Sequence, residues 1–219
     1  MQSSAKNLKY ASCAFLLRLL LVGVAFTMIC LDVAVFHTGI LEISFTEITQ
    51  ELMLFCCACL FWAIPTPEGE KGCTLLVAGF FASLLMRELD GLFDPISHSA
   101  WCWPFMFITI ASLGAAFSRK NRRATLPQLA AFTNSSVFGS LSTALAVLVF
   151  SRVFGMGTLW HLILGAGYAR LAKTTVEEGI ELLTYSMWLA ASLEYFWQQR
   201  AAASFRQAAT QSRQLLYSR

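Results

Sequence analysis

The stretch LLMRELDGLFDPISH, residues 84–98, decides how this chain is read. An apolar run that opens at Cys73 has the length to enter a membrane, yet it ends in Arg87, Glu88 and Asp90, followed by Asp94 and His98. Those charges are read as sitting at the outer end of a spanning helix, facing other protein groups. The composition of the 219-residue chain, 57% hydrophobic and 13% charged, favours this reading, as does its mean hydropathy of +0.60.

A hydrocarbon core takes about 20 apolar residues per helix. Segments 13–36, 45–64, 73–93, 101–117 and 137–154 satisfy this, and 175–199 adds a sixth with an acidic start. The predicted fold class is therefore all-α: a polytopic membrane bundle of six transmembrane helices over residues 1–199, then a basic cytoplasmic tail, 200–219. Between the last two segments, GMGTLWHLILGAGYARLAK (155–173) has an apolar part too short to cross and broken by Gly165 and Gly167. It reads as interfacial or re-entrant. Lys6 and Lys9 precede the first apolar run as in a secretory signal, but the run is too long and AVFHTGILE offers no small-x-small cleavage site. It reads as a retained helix, with Arg18 snorkelling toward headgroups.

Basic residues mark the cytoplasmic side of short loops. Lys6, Lys9, Arg18, Lys71, Arg119, Lys120, Arg122, Arg123, Arg200, Arg206, Arg213 and Arg219 fall on one side, and Arg87, Arg152, Arg170 and Lys173 on the other. This places both termini in the cytoplasm and suggests a bacterial inner membrane. The other side collects Glu42, Glu47, Glu51, Glu88, Asp90, Asp94, Glu177, Glu178 and Glu181, with His37, His98 and His161.

Some of these acids have structural explanations. SFTE (44–47) and TVEE (175–178) fit the capping box, in which hydroxyl and carboxylate satisfy free helical amides. Asp94 before Pro95 opens a turn. Depth singles out the remainder. At 1.5 Å per residue, Glu51, Glu181 and Arg87 each lie roughly 10 Å inside their own helices. The expected result is an outward-facing intramembrane chamber of Glu51, Arg87, Glu88, Asp90, Arg152, Glu181 and Tyr185, with His98, His161, Glu47, Glu177 and Glu178 at its mouth.

The function expected of such a chamber is binding or transport of a cation or proton. A divalent metal would be its cofactor, with Glu51, Glu88, Glu181 and His98 as candidate ligands. Two alternatives stay open. One is a metal-dependent or acid/base hydrolase acting on a lipid or lipid-linked substrate at the outer leaflet. The other is an accessory subunit of a membrane complex, whose charges form only a structural ion-pair network. EEGIEL (177–182) resembles the E-E-x-x-x-R start of the intramembrane glutamate proteases, but Leu182 replaces the arginine and no family is assigned. Neither H-x-x-x-H nor H-E-x-x-H occurs. The expected partners are the lipid bilayer and a membrane protein or a second copy. Nucleic acid is not expected, because topology already accounts for the basic tail.

Trp101 and Trp103 read as an interfacial belt. Cys56, Cys57 and Cys59 read as packing within an apolar helix, and the seven cysteines show no disulfide framework.

Overall fold

A computed structural model describes residues 2–37, 40, 43–167 and 170–217. Glu42 and Arg219 lie outside them. The elements are α1 (Gln2–Cys30), prolonged by a π-helical turn (Leu31–Val35), α2 (Phe45–Trp62), α3 (Gly72–Glu88) and the short α4 (Asp90–Phe93). They continue with α5 (Cys102–Ala116), α6 (Arg122–Thr133), α7 (Ser136–Phe154), α8 (Gly157–Leu164) and α9 (Arg170–Tyr217).

Local chemistry sets these boundaries. Ser44 caps α2 by accepting from the Glu47 amide at 3.2 Å, and Ser135 caps α7 from Phe138 at 3.1 Å. Pro65 and Pro67 follow the end of α2 and prevent its continuation. Gly165, at φ +55°, closes α8 in a backbone conformation that other residues rarely adopt. Of the first expected capping box only the Ser44 half forms among the described residues, and the second does not form. α9 begins at Arg170, so Thr175 is already helical, and its hydroxyl donates to the Leu171 carbonyl at 2.7 Å.

α9 is the hub: α1, α2 and α7 pack on it, while α3 joins α2 to α5. Its inward face carries Leu182, Tyr185 and Trp188, all buried. The Trp188 indole donates to the Leu141 carbonyl at 2.9 Å, and its ring meets Phe81 edge-on at 5.4 Å and stacks with Tyr185 at 5.6 Å. The same core holds Asp32, Thr46, Gln50, Ser151, Glu181, Thr184, Ser186 and Ser192. The protein is thus an all-α fold whose interior is partly polar and charged, tied by ion pairs and hydrogen bonds.

This corrects the six-span reading. Among the described residues three helices are long and apolar enough to cross a membrane by length and composition: Leu8–Val35, Phe45–Trp62 and Ser136–Phe154. α3 stops at 17 residues, where Arg87 and Glu88 end the apolar run, and α5 has 15. The last segment belongs to a 48-residue helix whose inner face is a polar and aromatic packing surface. The even-span topology, the inner-membrane placement, and the bilayer, membrane protein or second copy as partner all rested on that count. None is retained. Arg18 pairs with Glu194 at 2.9 Å instead of serving as a headgroup anchor. α1 nonetheless leaves Phe15, Leu16, Leu20 and Phe26 exposed.

Two contacts control assembly of the bundle. Asp32, fully buried in the π-helical turn, accepts from the amides of Phe45 at 3.0 Å and Thr46 at 2.7 Å, and from the Thr46 hydroxyl at 2.7 Å. It therefore caps α2 from the end of α1, with a carboxylate at the positive end of the helix dipole. Gly79 lets α3 approach α5, since a Cβ there would lie 2.0 Å from Ser112 Oγ and 2.4 Å from its Cβ.

Asp32→Ala is expected to lower the unfolding free energy by about 3 kcal/mol, because it strands buried donors. Asp32→Asn should recover part of that loss in the same denaturant titration. Gly79→Ala should cost about 1–3 kcal/mol by overpacking. Adding Ser112→Gly, which removes the atoms that clash, should restore most of the stability measured by thermal unfolding.

Candidate functional site

At one end of the bundle, five helices deliver charged side chains to a single cleft of about 490 Å³. Glu47 and Glu51 lie one turn apart on α2, and so share a face. Arg87 and Glu88 come from the last turn of α3, Asp90 from the start of α4, Arg152 from the last turn of α7, and Glu178 and Glu181 from α9. Ile43, Ile48, Leu89 and Leu92 complete the lining.

The charges are cross-tied. Arg152 pairs with Glu181 and, at 3.6 Å, with Glu177, which also meets Lys173 at 3.5 Å. Ser151 donates to Glu181 at 3.3 Å. Arg87 pairs with Glu88, and the buried Tyr185 hydroxyl donates to that same carboxylate at 2.9 Å. The Gln50 amide donates to both the backbone carbonyl and the side chain of Glu178 at 3.1 Å. By contrast, no hydrogen bond or ion pair holds the side chain of Glu47 or Glu51 among the described residues.

Burial moves the acids of α9. It raises Glu178 above the usual carboxylate range, against the Gln50 hydrogen bond that lowers it. Burial, reinforced by the charge of Glu178, raises Glu181 to about 7, with Arg152 opposing.

The sequence-predicted residues divide accordingly. Glu51, Arg87, Glu88, Asp90, Arg152 and Glu181 line the cleft together with Glu47 and Glu178, and Tyr185 touches it through Glu88. Glu177 stands behind Arg152. His98 does not line the cleft: it is exposed and meets Asp94 at 3.3 Å. His161 is exposed on α8 and also lies outside the lining.

Sequence reasoning missed Gln50, Ser151 and Gly155. Gln50 and Ser151 are uncharged, so a search by charge and depth passes over them, although each sits next to a charged residue that it detected. Gly155 lies beside Glu177: a Cβ there would come within 2.2 Å of Glu177 Oε1, so the tip of that side chain would have to move aside.

The expected outward-facing chamber for a cation or proton is overturned. Among the described residues no group of three or more His, Cys, Asp or Glu is placed to hold a metal ion, so Glu51, Glu88, Glu181 and His98 do not form a ligand set. Guanidinium groups stand among the acids, Arg87 paired with Glu88 and Arg152 with Glu181. The metal-dependent hydrolase falls for the same reason. The outer-leaflet lipid substrate and the role in a membrane complex fall with the six-span topology.

Comparison with protein-family models, curated proteins and solved structures finds no match to this chain.

A carboxyl group whose folded-state pKa is raised favours the protonated fold. Its contribution is complete at low pH and is lost as pH rises from the ordinary value of 4.5 to about 7. Over that window the wild type should lose stability relative to Glu181→Gln, which carries no titrating group at this position. Thermal unfolding of both proteins as a function of pH checks this, and a constant difference between them would contradict the raised pKa.

Proposed function

We propose that the protein is a binding protein for a small, neutral, hydroxyl-rich organic molecule, held in the cleft between α2, α3, α7 and α9. The observation that carries this reading is the mixture of groups in one cleft: arginine–carboxylate pairs beside Glu47 and Glu51, whose side chains are unengaged among the described residues.

A hydroxyl both donates and accepts, so it needs partners of both kinds within reach. Carboxylates supply acceptors, and the guanidinium groups supply donors. Ile43, Ile48, Leu89 and Leu92 offer apolar contact for a carbon skeleton, the usual division of labour in small-molecule sites. An inorganic anion would meet the excess of acids over the two arginines. A metal ion would lack a ligand set among the described residues.

Calorimetric titration with glucose, myo-inositol and glycerol tests the proposal. At least one should bind saturably, and Glu51→Gln and Arg152→Lys should each weaken it by about tenfold, the loss of one charge-assisted hydrogen bond. Absence of saturable binding by all three, or binding insensitive to both substitutions, would refute it.

A further inference from the structure

A second cleft, of about 310 Å³, opens at the opposite end of the bundle, between the α2–α3 connection, α6 and α9. Along α9 it is roughly 26 Å from Glu181 to Gln198, so the two clefts share no residue and are separate places. Its lining is of a different kind. Neutral amide and hydroxyl groups predominate, with one acid, Glu70, and one arginine, Arg206.

Two observations point to a ligand. Glu70 and Arg206 face the same cleft without forming an ion pair with each other, and Arg206 has no ion-pair partner among the described residues. Opposite charges held apart across a cavity complement a molecule that carries both. Gln128 donates to Glu70 at 3.3 Å and so orients that carboxylate.

We infer that this cleft binds a free amino acid with an uncharged side chain. Arg206 receives the α-carboxylate, for which the guanidinium fork is suited to two parallel hydrogen bonds. Glu70 receives the α-ammonium group. Gln199 faces the remainder of the molecule, over an apolar floor of Ile64 and Phe132. A ligand with only a negative charge would meet Glu70, and one with only a positive charge would meet Arg206. The zwitterion satisfies both.

Equilibrium dialysis of the full chain against radiolabelled glutamine and serine provides the test. N-acetylglutamine, which lacks the ammonium group, and glutamine amide, which lacks the carboxylate, serve as comparison ligands. Saturable binding of glutamine or serine is expected, weakened by about tenfold or more for either comparison ligand and in Arg206→Gln and Glu70→Gln. Arg206 is exposed, so its replacement should leave helical content and the unfolding midpoint unchanged, and that variant decides the question if Glu70→Gln unfolds. The inference is overturned if neither amino acid binds saturably at millimolar concentration or if Arg206→Gln binds as the wild type does. It is equally overturned if binding is lost in Glu51→Gln, which would assign it to the first cleft.

Discussion

Glu181 lies in the packed face of the central helix with its side chain almost fully enclosed, and a carboxylate in that position needs both a counter-charge and hydrogen-bond donors. Arg152 and Ser151, adjacent on α7, supply them, and this fixes how the end of α7 meets α9. Beside this contact the Glu177 carboxylate lies against Gly155. On the other flank Tyr185, one turn along α9, ties Glu88 and through it the end of α3. The polar end of the bundle is a consequence of where one buried acid is placed.

The opposite requirement governs the middle of the molecule. Trp188 and its neighbours Phe81, Tyr185 and Phe61 pack edge-on or stacked and form the apolar centre. Serine and threonine on the same face of α9 return their hydroxyls to their own helix, as Thr184, Ser186 and Ser192 do, so their burial leaves no donor unsatisfied. Small polar residues thus allow close helix approach without demanding partners from neighbours. This is how a helix can be polar on its inner face and still sit at the centre of a fold.

Asp32 shows a third use of buried charge. Its carboxylate closes the start of α2 from another helix, a role that Ser44 fills only in part. In sequence it is an isolated acid in an apolar run. Only the return of the chain at Phe45 shows what it serves.

The sequence alone settled that the chain is helical, because its apolar periodicity, capping residue at Ser44 and glycine breaks act locally. It also drew attention to Glu51, Arg87, Glu88, Asp90, Arg152 and Glu181, which line the first cleft, since an ionisable group set inside an apolar helix needs polar company. It did not settle how many helices reach a membrane-crossing length. An apolar run read by composition does not reveal that α3 ends at Glu88, or that 175–199 is part of a longer helix beginning at Arg170. Nor did it settle which charges meet. That Arg152 takes Glu181, that Tyr185 takes Glu88, and that Glu70 and Arg206 share a second cleft are outcomes of packing between helices far apart in the chain. Local propensity is short-ranged, whereas the pairing of buried charges depends on which helix faces come together, and that only the tertiary structure decides.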